Sequence, residues 1–276
     1  QYNLGRCYEE GIYFSPNSNE VVKWYKRAIE KGNAAAQNRL GSIFFHGKGV
    51  EANYDEGYRL WELAAEQGNA GAMCNLALYR YYFGPAYLQD KEKAQELFRK
   101  AAYKGYAEAQ YWLADCIRTK NMSDAVYWYT KASDQGYAEA QRELAYCYSD
   151  GKGVKQNIYK AVELFEKAAN QGDARAKYSL AFYYFNGEGG LTRSPSRAAT
   201  LWEEAARQGN TSSAYRLAWC LENGYGYSKN IVKAAEWYKN AAEGGAYAAQ
   251  SKLGEFYYHG IGVNRDYNEA AKWYRK

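Results

Sequence analysis

Few residues of this 276-residue chain have a type and spacing that could do chemistry. His46 and His259 would make a proton-transfer or metal-binding pair only if the fold brought them together. Both stand just before a turn glycine, Gly47 or Gly260. They read as two copies of one structural slot, far apart in the chain. Cys7, Cys74, Cys116, Cys147 and Cys220 are scattered, without the paired spacing of a zinc site. Adjacent carboxylates such as Glu9-Glu10 and Glu203-Glu204 are one residue apart on helical stretches. Side chains one apart do not face each other, so they make a poor acid/base couple. Gly-x-Gly recurs at Gly47-Lys48-Gly49, Gly151-Lys152-Gly153, Gly187-Glu188-Gly189, Gly224-Tyr225-Gly226 and Gly260-Ile261-Gly262. A phosphate cradle of that kind follows a strand. Here every copy follows a helical run, which makes it a tight turn. With no nucleophile–base pair and no carboxylate dyad, the chain reads as a non-enzyme with no cofactor and no metal.

Composition narrows the classes further. The chain has 31 Tyr, 8 Trp and 9 Phe against 3 Pro and 2 Met. Its 24% charged residues leave too much apolar matter for a disordered chain. The 36 Lys+Arg and 31 Asp+Glu give a net +5 with no basic block, so nucleic acid is not an expected partner. No apolar run approaches the 18 or so residues of a membrane span.

The elements that must position any site are repeats. A glycine closes an Ala-rich helical run at Gly32, Gly68, Gly105, Gly136, Gly172, Gly209 and Gly245. Eight residues after each lies a leucine: Leu40, Leu76, Leu113, Leu144, Leu180, Leu217 and Leu253. Leu4 fits a first, shortened copy. The next residue is always small: Gly5, Gly41, Ala77, Ala114, Ala145, Ala181, Ala218 or Gly254. This pattern predicts a helix A through each Leu–small pair. A helix B follows, carrying a large apolar pair: Trp24-Tyr25, Leu60-Trp61, Leu97-Phe98, Trp128-Tyr129, Leu164-Phe165, Leu201-Trp202, Trp237-Tyr238 and Trp273-Tyr274. Large residues opposite small ones are what close helix packing needs.

Helix ends are signed too. Asn17, Asn53, Asp90, Asn121, Asn157, Ser194, Asn230 and Asp266 stand where helix B should begin and are N-cap residue types. The repeat between Gly105 and Gly136 lacks the Gly-x-Gly turn and is five residues short. Cys7, Cys116, Cys147 and Cys220 share one slot. Equivalent slots of stacked repeats lie about 9–10 Å apart, beyond the ~7 Å reach of a disulfide, so free buried thiols are expected.

From Ala138 to Gly172 the run Ala-Glu-Ala-Gln, Leu144-Ala145, Tyr148, Gly151-x-Gly153-Val154, Lys160-Ala161, Leu164-Phe165-x-Lys167-Ala168-Ala169-x-Gln171-Gly172 resembles the Sel1-like repeat, a relative of the tetratricopeptide repeat with longer units. The resemblance implies an all-α fold: a right-handed superhelical solenoid of about seven to eight stacked antiparallel helix pairs, one domain over 1–276. Its units are approximately 1–33, 34–69, 70–106, 107–137, 138–173, 174–210, 211–246 and 247–276. Some relatives carry a disulfide within each repeat; those paired cysteines are absent here.

By similarity to tetratricopeptide geometry, groove-facing positions fall three, six, ten and thirteen residues after each anchor glycine. That selects Leu78, Tyr81, Glu108, Tyr111, Asp115, Arg118, Arg142, Tyr146, Arg175, Tyr178, Phe182, Phe185, Tyr215 and Trp219 as partner-binding candidates on a concave face. Tyr, Trp and Arg are enriched at binding hot spots. The implied function is a non-catalytic scaffold or adaptor that binds a peptide, helix or folded domain of another protein. Alternatives are an immunity protein for a secreted toxin and a peptidoglycan- or glycan-binding protein; self-association through the solenoid ends is also open. Starting at Gln1 and stopping within a repeat, the chain reads as part of a longer protein, with Leu4, Cys7, Tyr8 and Trp273 under-covered at its ends. Unpaired cysteines point to a reducing compartment and family resemblance to an extracytoplasmic one.

Overall fold

The computed structural model describes residues 1–13, 15–86 and 88–276. Among them are sixteen α-helices, one π-helical turn and no strand. The chain forms two compact units, Gln1–Gln135 and Gly136–Lys276. The first holds α1 (Tyr2–Glu10), α2 (Ser18–Ile29), α3 (Ala34–His46), α4 (Tyr54–Glu66), α5 (Ala70–Leu78), α6 (Lys91–Tyr103), α7 (Ala107–Ile117) and α8 (Met122–Asp134). The second holds α9 (Ala138–Asp150), α10 (Ile158–Asn170), α11 (Ala174–Asn186), α12 (Pro195–Arg207), α13 (Thr211–Asn223), α14 (Ile231–Glu243), α15 (Tyr247–His259) and α16 (Tyr267–Tyr274). Within each unit every helix packs on the next in sequence. Odd-numbered helices are the predicted A helices and even-numbered ones the predicted B helices.

The expected caps are made. All eight residues assigned to the start of helix B accept a backbone N–H through the side chain, as Asn157 does from Lys160 at 3.1 Å. Four A helices are capped likewise by Asn33, Asn69, Asp173 and Asn210, a signal one residue after the anchor glycine that the sequence reading passed over. The anchor glycine stops helix B. At Gly172, φ is +94°, its N–H donates to Ala169 O at 2.9 Å, and Asp173 N–H donates to Ala168 O at 3.1 Å. That double bond satisfies the last carbonyls of the helix. A Cβ on Gly172 would meet nothing within 4 Å, so conformation and not space demands glycine here.

The core is a ring on a small residue. The second residue of each helix B pair, from Tyr25 through Trp61, Phe98, Tyr129, Phe165 and Trp202 to Tyr238, is at most 3% exposed. The small residue after each leucine in the same repeats is buried too. A Cβ on Gly41 would lie 2.7 Å from Trp61 Cδ1 and 3.0 Å from Gly57 O.

At the N-terminal end Leu4, Cys7 and Tyr8 are half-buried, as expected. Trp273 corrects the reading: it is only 4% exposed, and Lys276 Nζ sits 4.0 Å from its ring centroid. The uncovered ring is Tyr274, 54% exposed in the slot that a following repeat seals elsewhere. A second departure is the π turn at Tyr79–Phe83, closed by Gly84 N–H on Tyr79 O at 2.7 Å. Gly84 comes one residue later after its anchor than Gly47, Gly151, Gly187, Gly224 and Gly260 do after theirs. A π turn takes up one extra residue, so the backbone resumes register and Asp90 N–H still reaches Arg80 O.

Gly41→Ala is expected to destabilise by about 1–3 kcal/mol through overpacking against Trp61. Gly172→Ala should cost about 1–2 kcal/mol through its left-handed backbone alone. Denaturant unfolding separates the two: Asn, which tolerates that conformation, should recover stability at Gly172, and no larger residue should do so at Gly41.

Candidate functional site

In the second unit the predicted positions on α11 form one helical face, since Arg175, Tyr178, Phe182 and Phe185 lie three or four residues apart. Their rings touch in series. Tyr178 and Phe182 centroids are 5.0 Å apart, and both Phe182 (5.2 Å) and Phe185 (5.9 Å) lean on the buried Trp202 of α12. Phe185 then meets Trp219 of α13 at 5.7 Å, and Trp219 stacks on Tyr225 at 4.9 Å and 24°. Tyr178, Phe182, Phe185 and Trp219 are half-buried and Tyr225 is 40% exposed. Trp202 anchors the slab by donating its Nε1–H to Tyr178 O at 3.3 Å. The rings therefore form one continuous surface drawn from two successive A helices and the turn after the second.

Three side chains of this surface were missed. Tyr225 is the middle residue of a Gly-x-Gly turn, dismissed as connection. Arg216 lies seven residues after its anchor, one off the chosen offsets; its guanidinium is 4.9 Å from the Phe182 centroid. Arg193, from the loop after α11, donates to Phe185 O at 3.1 Å and lies 5.9 Å from that ring.

Other predicted positions go elsewhere. Arg142 is buried, bound to Asp173 at 2.6 Å and Glu143 at 2.9 Å. Its charge is spent inside the unit, where Asp173 also caps α11. Tyr146 is half-buried on Phe165, with its hydroxyl 2.8 Å from Ser179 Oγ; burial raises its pKa. Tyr215 lies against Tyr238. In the first unit Tyr111 is buried among Trp112 and Tyr129, and Leu78 packs on the core. Tyr81 sits 4.4 Å from Tyr82, which lies 5.4 Å from Trp112. Asp115 and Arg118 pair at 3.2 Å, and Glu108 is half-buried. A separate polar cavity of about 520 Å³, lined by Asn38, Arg39, Ser42, Asn75 and Tyr106, falls on the earlier A helices.

The five thiols are free, and Cys74, Cys147 and Cys220 are buried. Burial pushes the Cys220 thiol up to about 12 and that of Cys116 up to about 11, so neither is an activated nucleophile. Among the described residues no group of three or more His, Cys, Asp or Glu could hold a metal. Nor is any helix there long and apolar enough to cross a membrane.

The Sel1 repeat model matches residues 1–33, 34–69, 70–106, 107–137, 138–173, 174–210, 211–245 and 248–276. The chain belongs to the Sel1 repeat family. A Sel1 repeat protein from Oxalobacter formigenes has a similar structure, with a TM-score of 0.69 at 28% identity over 99% of this chain and 80% of that one. A protective antigen present in uropathogenic Escherichia coli strains, displaying an SLR fold, gives 0.66 at 31% identity over 99% and 67%. An immunity protein from Pseudomonas aeruginosa gives 0.51 at 24% identity over 77% and 82%, a likeness of fold alone. Three curated relatives match over 53%, 16% and 37% of this chain, and each match takes in less than half of the relative. The Sel1 repeat is a scaffold fold associated with protein binding.

The Arg142–Asp173 pair of this Sel1 repeat chain can be tested directly. Asp173→Asn keeps the α11 cap and removes the charge. It should cost about 2–3 kcal/mol in urea unfolding, below the full penalty of a lone buried charge because Glu143 still faces Arg142.

Proposed function

We propose that this Sel1 repeat chain is a non-catalytic scaffold that binds a partner protein through the ring surface of α11 and α13. One observation carries the reading. The rings that close the first seven repeats are at most 3% exposed, whereas Tyr178, Phe182, Phe185 and Trp219 stay only half-buried on top of that closed core. Contiguous aromatic surface of this kind, rimmed by arginine, has the composition of a binding hot spot: much area buried per lost rotamer. Nothing in its chemistry is catalytic, since it offers no base, no carboxylate pair and no low-pKa thiol.

An inhibitor is one form such a scaffold takes. The Pseudomonas protein of like fold is called an immunity protein. A secreted toxin recovered as the partner would place this chain in that role.

Affinity purification from source cells with the whole chain as bait is the test. A protein recovered in near-equal amount should be lost when Tyr178 and Trp219 are both changed to Ala while far-UV circular dichroism stays unchanged. Recovery undiminished by the double change would move binding off this surface.

A further inference from the structure

The α11–α13 surface carries more positive charge than it uses. Arg175 is exposed on α11, Arg193 reaches over Phe185, and Arg216 lies over Phe182. None of the three pairs with a carboxylate among the described residues. Carboxylates on or beside the same helices are engaged elsewhere. Glu222 accepts from Tyr238 Oη at 2.6 Å and pairs with Lys252 at 3.1 Å. Glu204 pairs with Lys177, and Glu188 accepts from Asn186 Nδ2 at 3.1 Å. Two guanidinium groups thus lie over rings of the slab, and Arg175 stands one turn before Tyr178 on the same helix face, all three without an anion among the described residues.

The rings sharpen the choice of ligand. Guanidinium groups lie by Phe182 and Phe185, and Tyr225 stacks on Trp219. Bases of single-stranded nucleic acid and sugar rings both need open ring faces to stack on. An aromatic edge is the positive part of its quadrupole, so edges and guanidinium groups together favour an anion. Arginine binds carboxylate through two parallel N–H donors, the strong form of hydrogen bond.

We propose that this surface takes an acidic segment of the partner protein, in which a large apolar side chain is flanked by aspartate or glutamate. The apolar side chain packs against Phe182, Phe185 and Trp219, and the flanking carboxylates pair with Arg175, Arg193 and Arg216. The inference rests on the scaffold reading above and adds the chemistry of what is bound.

Selection of a random dodecapeptide display library on the whole chain tests it. Enriched peptides are then synthesised and their affinities measured by fluorescence anisotropy, with an oligo-dT strand as competitor. Enriched sequences should be acidic around an aromatic or large aliphatic residue. Their affinity should fall about tenfold when Arg175, Arg193 and Arg216 are all changed to Gln, with the thermal midpoint unchanged, and should fall again with added salt. Neutral or basic peptides that need Trp219 but not the three arginines would overturn this inference and leave the scaffold reading standing. Peptides indifferent to both Trp219→Ala and the arginine changes, or no enrichment at all, would overturn both. Displacement of every peptide by the oligonucleotide would assign the arginines to phosphate and overturn the acidic-segment inference.

Discussion

The Trp61 ring lies so close to Gly41 that a single methyl group would intrude on it. Each repeat makes the same contact, a ring of helix B on a Gly or Ala of helix A, and other features of the fold serve it. The leucine before the small residue fills the space beside the ring. The N-cap sets where helix B starts and so where its ring falls. The left-handed glycine after helix B turns the chain back at the right residue. Shifting any of these by one position would put a larger residue under the ring, which is why the pattern tolerates so little variation.

That contact also explains where variation is allowed. Positions on helix A outside the Leu–small pair touch the ring only from its side and vary in residue type from repeat to repeat, so they can be chosen for binding. In the second unit that freedom yields four half-buried rings, which Trp202 joins from below and Tyr225 extends from the turn after α13. At Arg142 the same freedom was used differently: the side chain reaches into the next repeat and ties Asp173, the cap of α11, to α9. The same repeat position therefore supplies an internal strut in one unit of sequence and a surface ring, Tyr178, in the next.

Much of this was legible in the residues. A constraint copied eight times shows through any single exception, so the helices, the helix B caps and the glycine turns could be read from spacing. What could not be read was anything that depends on one repeat alone. The π turn at Tyr79–Phe83 hides in a surplus of one residue, which spacing does not distinguish from a longer loop. Arg142 and Asp173 stand 31 residues apart, in slots filled by uncharged residues in most other repeats. Tyr225 sits between two turn glycines, where only three-dimensional structure reveals the stack on Trp219. The pattern puts Tyr274 in the slot of the buried rings and Trp273 in the slot before it, and at this last repeat their burial is the reverse. The binding surface is the least repetitive part of the molecule and so the part that a repeat explains least.

The central claim is that the rings on α11 and α13 are spare to the fold, whereas those of helix B are required by it. Equilibrium urea unfolding of Phe165→Ala and Trp219→Ala tests it most directly. Phe165 is fully buried, and its loss should cost about 3–5 kcal/mol. Trp219→Ala should cost less than half as much despite removing the larger side chain. Equal losses would show that the Trp219 surface is part of the core, and would contradict the account.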